Sequence, residues 1–133
     1  MHLEQLKISM LENFCYVLGC ESTKQGVIID PGDETEHILS CIRDLNLGIK
    51  YILNTHFHFD HTQCNRELKD ITRAYIAMHE ADVPYYQEAV DTVLQEDDKI
   101  VCGEEIGLRV IHTPGHTPGG VCFYQKGRLF TGD

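Results

Sequence analysis

Leu6, Ile8 and Met10 alternate with polar neighbours, and residues 13–20 form an almost unbroken apolar run. A period of two marks strands, so the chain is expected to open as an antiparallel pair turning around Glu12-Asn13. A polar stretch at 21–25 follows. Residues 26–30 (GVIID) then read as a short buried strand stopped by Pro31-Gly32. The period changes next: Ile38, Leu39, Ile42 and Leu45 fall on one face at helical spacing, with Gly48 just past the expected end. Residues 49–53 return to strand. Downstream, 62–70 reads as a helix beginning close to His61 and 74–78 as a strand. The stretch 80–95 reads as one helix or two short ones, with Pro84 tolerated in a first turn. A solvated charged loop is expected at 96–99. Leu108, Val110 and His112 alternate with Arg109 and Ile111 up to Pro114-Gly115, and 121–124 and 129–131 pair as a hairpin across Lys126-Gly127-Arg128. Strands thus open and close the chain around a β-α-β-α-β middle. No repeat or linker interrupts it, which predicts a single αβ unit with a mixed sheet.

Composition narrows the class. The chain has 133 residues, 42% apolar and 24% charged, enough for one core and inconsistent with disorder or a coiled coil. Eleven Lys and Arg against 21 Asp and Glu leave a formal charge of −10. That balance argues against charge-driven binding to nucleic acid or to an anionic membrane. The six cysteines form no Cys-x-x-Cys pair, so reduced, mostly buried thiols are expected. A Cys15/Cys20 metal or redox pair is the sharper alternative, but the strand alternation around them favours core packing. The N-terminus has no basic start followed by an apolar run, and nowhere do eighteen apolar residues run together. A cytoplasmic location is therefore expected.

Eight histidines are the unusual count, and five crowd into 56–61 and 112–116. The segment THFHFDH at 55–61 follows directly on the apolar strand 51–53, which puts ligand-type side chains at a strand's carboxyl end, where open αβ sheets place their sites. If the backbone stays extended, His56, His58 and Asp60 share one face while His61 turns into the next helix. Imidazoles and a carboxylate suit zinc, and a catalytic zinc takes three protein ligands and one water. His116, in HTPGHTPGG at 112–120, is the natural third nitrogen, because Pro and Gly on both sides fix a tight loop. His112 reads as a packed or supporting residue. His2, His37 and His79 read as ordinary core or surface histidines. Tyr85 and Tyr86 read as packing on an amphipathic segment.

These motifs carry a resemblance. The chain resembles the metallo-β-lactamase superfamily, and within it the small hydrolases of the glyoxalase II (hydroxyacylglutathione hydrolase) type. The likeness runs through VIIDPG at 27–32, the 55–61 motif, the 112–120 loop and LFTGD at 129–133. It implies an α/β (α+β) fold, the αβ/βα sandwich, of which residues 1–133 would supply one C-terminally incomplete domain: the N-terminal half and the start of the second. By the same resemblance His56, His58 and His116 would hold a first metal, Asp60 and His61 a second, and Asp133 would bridge both. Asp30 would orient the metal-binding loop. Zinc is the implied ion, two per complete site, with iron or manganese as alternatives. Asp133 stands where class B β-lactamases commonly place Cys, and His58 where flavodiiron oxygen reductases have Glu, which disfavours both activities.

The implied reaction is hydrolysis of a small-molecule thioester or ester by metal-activated hydroxide, with Asp60 orienting the hydroxide and passing its proton on. Two further readings stand beside it. One is an oxidoreductase resembling the persulfide dioxygenases, with one iron on His56, His116 and Asp133. The other is a half-domain that binds metal without turnover. A nuclease shares the first motif, but the acidic balance and absent basic insert disfavour it. Without the second half, an edge or apolar face is expected to be exposed, and self-association with it.

Overall fold

In the computed structural model, residues 1–8 and 13–132 are described. The expected first turn falls partly outside them, as does Asp133. The alternating N-terminal pattern becomes β1 (His2–Ile8) and β2 (Asn13–Gly19), antiparallel with Leu6 opposite Cys15. β2 pairs antiparallel with β3 (Gln25–Ile29). Helix α1 (Thr35–Asp44) then crosses over to β4 (Gly48–Leu53), parallel to β3. Helices α2 (Phe59–Thr62) and α3 (Asn65–Thr72) lead to β5 (Tyr75–His79), and β6 (Thr92–Leu94) closes a mixed six-stranded sheet in sequential order. A second, antiparallel sheet has the order β10-β9-β8-β7, built from β7 (Lys99–Cys102), β8 (Ile106–His112), β9 (Val121–Gln125) and β10 (Arg128–Phe130).

The period of two sorts apolar side chains into two cores. Ile28 and Ile52 pack with Ile38, Leu39, Ile42 and Leu68 beneath the helices. Val27, Ile29 and Leu53, one residue out of phase, pack with Leu108, Val110 and Phe123 between the sheets. A central strand buried on both faces reads as a continuous apolar run, as VII and YIL do. Cys15 belongs to the first core and Cys20 to the second, so they lie on opposite faces and form no pair. All six thiols are free, and five are buried.

Three expectations change. Gly48 opens β4; the left-handed residue after α1 is Asn46, at φ 55°, whose N–H bonds Arg43 O. The helix expected at 62–70 is two helices. Cys64 N–H donates to Pro31 O at 2.9 Å, and Asp60 O accepts from Asn13 Nδ2 at 3.2 Å, so the bond that would continue α2 is diverted to the neighbouring loop and strand. Gly32 permits that approach, because a Cβ there would lie 1.7 Å from Asp60 O. The helical reading of 80–95 is overturned: Pro84 sits in a single 3-10 turn (Val83–Tyr85), Tyr86 is extended, and Thr92, Val93 and Leu94 pair with Ala77, Met78 and His79. β-branched Thr92 and Val93 suit that strand. Among the described residues no helix is long and apolar enough to cross a membrane.

Candidate metal centre

The parallel strands β3 and β4 end side by side, Asp30 N–H donating to Leu53 O at 2.9 Å, so Asp30 and the 54–61 segment share one end of the sheet. Asn54 is buried and exchanges amide bonds with Asn65, at 3.2 and 2.7 Å; its Nδ2 also reaches His61 O at 3.1 Å. The motif is thereby tied to α3.

Asp30, itself buried, organises the histidines. Its Oδ1 accepts the Thr55 N–H at 2.7 Å, and its Oδ2 accepts the Thr55 hydroxyl at 2.6 Å and His61 Nδ1 at 2.9 Å. A carboxylate only accepts, so the His61 proton sits on Nδ1 and Nε2 carries the lone pair. Thr55 gives its one proton to Asp30, so its oxygen accepts from His56 Nδ1 at 3.0 Å, which directs that ring's lone pair to Nε2 as well. This is the orientation a metal-binding imidazole needs.

His116 comes from the loop between β8 and β9. Val121 N–H bonds Thr55 O at 2.9 Å, laying that loop against the motif. His58 Nδ1 and His116 Nε2 stand 3.0 Å apart. His56, His58 and His116 bring ring nitrogens within 4.8 Å of one another, and Asp30, His56 and His61 form a second such group sharing His56. The first group runs from buried His56 to exposed His116, so it opens to solvent on one side.

Asp60 departs from its expected face. Helix α2 begins at Phe59 and ends the extended run, which turns Asp60 away from the alternation of His56 and His58. Its Oδ2 accepts from Asn13 Nδ2 at 2.7 Å and lies 3.7 Å from His61 Nε2. Burial pushes this carboxyl up, but the Asn13 bond and the His61 and His56 rings outweigh it and hold it below the usual carboxylate range. Asp133 lies outside the described residues. His112 stays out of both groups, as expected: its ring stacks on buried His79 at 4.0 Å and its Nε2 meets Pro118 O at 3.0 Å.

Sequence reasoning missed Asp82. Fully buried, it accepts Phe57 N–H at 3.0 Å, the Thr117 hydroxyl at 2.9 Å and Gly119 N–H at 2.6 Å, joining the two histidine loops. Two of its three partners are backbone groups, which leave no mark in a sequence; a lone Asp before Val-Pro shows only a turn start. Tyr85, read as packing, is 58% exposed and stacks on Phe57 at 5.4 Å.

Three convergent ring nitrogens with His61 and Asp60 beside them, at the carboxyl end of a parallel strand pair and open on one side, define a protein of the metal-binding αβ class, and the donor set fits zinc. The family model of the metallo-beta-lactamase superfamily matches residues 10–133, and the chain belongs to that superfamily. Among its relatives is the probable polyketide biosynthesis zinc-dependent hydrolase BaeB of Bacillus velezensis, 34% identical over 93% of this chain and 56% of that protein. Another is a hydroxyacylglutathione hydrolase of Pelagibacter ubique, 35% identical over 92% of this chain and 51% of that protein. Among solved structures, ETHE1 from Myxococcus xanthus superposes with a TM-score of 0.85 at 25% identity, over 97% of this chain and 56% of that one. The chain spans about half the length of the curated relatives it matches.

Proposed function

We propose that this chain carries the histidine site of a zinc-dependent hydrolase that cleaves a small-molecule thioester or ester, in the manner of the hydroxyacylglutathione hydrolases. The observation that carries the reading is the convergence of His56, His58 and His116, with His61 Nε2 beside them, 3.7 Å from Asp60 Oδ2. In this reading those three rings would hold a first zinc, His61 and Asp60 would serve a second, and Asp133, outside the described residues, would by the family resemblance contribute to both. Support for Asp133 comes from Gly132, which lines one recess with Asp30, Thr55 and His61. Bound zinc supplies a water acidified toward neutrality and a Lewis acid for the substrate carbonyl.

The chain's own residues do the rest. Asp30 and Thr55 hold protons on the far nitrogens of His61 and His56. Asn13 fixes Asp60 Oδ2 and helps keep its carboxylate ionised, in a state that can orient a water. A thiolate leaving group asks little of a general acid, because thiols ionise near pH ~8.5. The free thiols support a reducing, cytoplasmic setting.

The test is metal analysis of the purified chain together with turnover of a thioester panel after zinc loading. Bound zinc, lost in His56→Ala and His116→Ala, with hydrolysis that follows zinc content, is the expected result. Zinc-loaded protein that hydrolyses no thioester or ester overturns the proposal. Stoichiometric iron without zinc, with oxygen consumption on a persulfide, moves it to the dioxygenase-like reading.

A further inference from the structure

Beside the histidines lies a cleft of about 320 Å³ walled by Phe57, Phe59, Tyr85 and Tyr86, with Gln63 and Glu88 among its polar residues. We infer that this cleft binds the acyl group of the substrate, and that the group is uncharged and apolar, an aryl ring or a short alkyl chain. The inference deepens the hydrolase reading and rests on it for the reaction.

One wall of the cleft abuts a donor ring. The Phe57 ring stands 4.7 Å from the His58 ring on one side and stacks on Tyr85 on the other. Phe59 is 70% exposed although it lies inside the metal motif, and Tyr85 is 58% exposed. Single exposed aromatics are ordinary; two that flank one recess next to a candidate reaction centre leave apolar surface for a ligand to cover, each Å² being worth about 25 cal/mol. The walls are preformed. Asn65 Nδ2 donates to the Tyr86 hydroxyl at 3.1 Å, and Asn65 is locked to Asn54, which holds His61 O. Asp82 fixes the Phe57 backbone.

Size and charge choose the occupant. The volume lies at the lower end of the ~300–1,000 Å³ usual for small-molecule sites, room for a ring but not for a peptide- or nucleotide-sized thiol carrier. That assigns the cleft to the acyl side of the scissile bond. None of the described residues lining it is cationic, and Glu88 adds a negative charge, so an acyl group ending in a carboxylate is disfavoured.

Two measurements on the zinc-loaded chain test this separately from the reaction. The first is equilibrium binding of phenylacetamide, acetamide and succinamate, followed by shifts of the Phe and Tyr ring resonances. Phenylacetamide is expected to bind about tenfold or more tighter than acetamide. Phe59→Ala and Tyr85→Ala should remove that margin, Tyr85→Phe keep it, and Val101→Ala on the far sheet leave it unchanged. Glu88→Gln should raise succinamate binding relative to acetamide. The second is the ratio of kcat/KM for phenylacetyl over acetyl thioesters of one thiol, expected to fall about tenfold in Phe59→Ala. Hydrolysis indifferent to the acyl group, with equal binding of the three amides, overturns the inference and leaves the hydrolase reading standing. Selective binding that Phe59→Ala abolishes, without turnover of any thioester, supports the cleft and overturns the hydrolase reading. Selectivity that survives both alanine variants places the apolar site elsewhere and overturns the inference.

Discussion

At the scale of single residues, the buried polar groups act by fixing where protons sit. Asp30 does so for His61 directly and for His56 through Thr55, and each bond in that chain has one allowed direction. His79 does the same away from the site. Its Nδ1 accepts the Ala81 N–H at 3.0 Å, so the ring's proton is on Nε2, and protonating Nδ1 would break the bond. Burial, and then the charge of stacked His112, lowers its pKa below the ordinary 6.5, against the opposing pull of Glu80, Asp82 and Glu96. The sign follows: below 6.5 the unfolded chain binds a proton that the folded ring refuses, so stability declines as pH falls through that value until the folded ring is itself protonated. Urea unfolding of metal-free protein between about pH 7.5 and 5.5 checks this, the slope from one such group being at most ~1.4 kcal/mol per pH unit. The stability margin of the wild type over His79→Gln should shrink as pH falls. A margin that is constant or grows would sink the assignment.

At the scale of elements, the two histidine loops are held by a third segment that carries no ligand. Asp82 bonds Phe57 N–H from one loop and Thr117 and Gly119 from the other, and Gly119 is required there, since a Cβ would lie 2.5 Å from Asp82 N. Gly119→Ala should therefore cost about 2–3 kcal/mol, an overpacking penalty against backbone, and weaken zinc binding about tenfold by shifting the loop that bears His116. Gly115→Ala in the same loop meets open space and should change stability by no more than ~0.5 kcal/mol. Urea unfolding and competition with a zinc chelator measure both; equal effects of the two substitutions would refute the clamp. This clamp also shows what was legible beforehand. His56, His58, His61 and His116 stood out because histidines crowd into two short windows, strand β1 stood out by its period of two, and β2, β3 and β4 stood out as apolar runs buried on both faces. The 80–95 segment did not: its apolar spacing suits a helix, and only pairing of Thr92–Leu94 with distant β5 decides otherwise. Asp60 was misplaced for a related reason. Whether the extended run continues past His58 depends on which carbonyls Asn13 and Cys64 engage across the fold.

At the scale of the molecule, the layers run helices, first sheet, second sheet, and among the described residues the second sheet is covered on one face. Ile100, Leu108, Val110 and Phe123 point into the core between the sheets, while their out-of-phase neighbours form an outer face. Lys99, Arg109, Tyr124 and Leu129 align across it by strand register. Val101 is 62% exposed and Leu129 53%, on the two edge strands β7 and β10. A mixed face with exposed Val101 and Leu129 on its two strand edges is a template for a second copy. Opposing this is the net charge of −10, which makes copies repel at low ionic strength. Screening shortens that repulsion to about 10 Å at 0.1 M salt and about 3 Å at 1 M, whereas apolar contact is not weakened by it. The chain on its own should therefore run near its 15.2 kDa mass in dilute salt and shift to dimer or higher species as salt and protein concentration rise. Light scattering after gel filtration measures this, and a Val101→Lys, Leu129→Lys double variant should stay monomeric throughout. A wild-type chain that remains monomeric at every salt concentration would mean the charged members of the face, Lys99 and the Arg109–Asp97 pair at 2.9 Å, suffice to keep it in water.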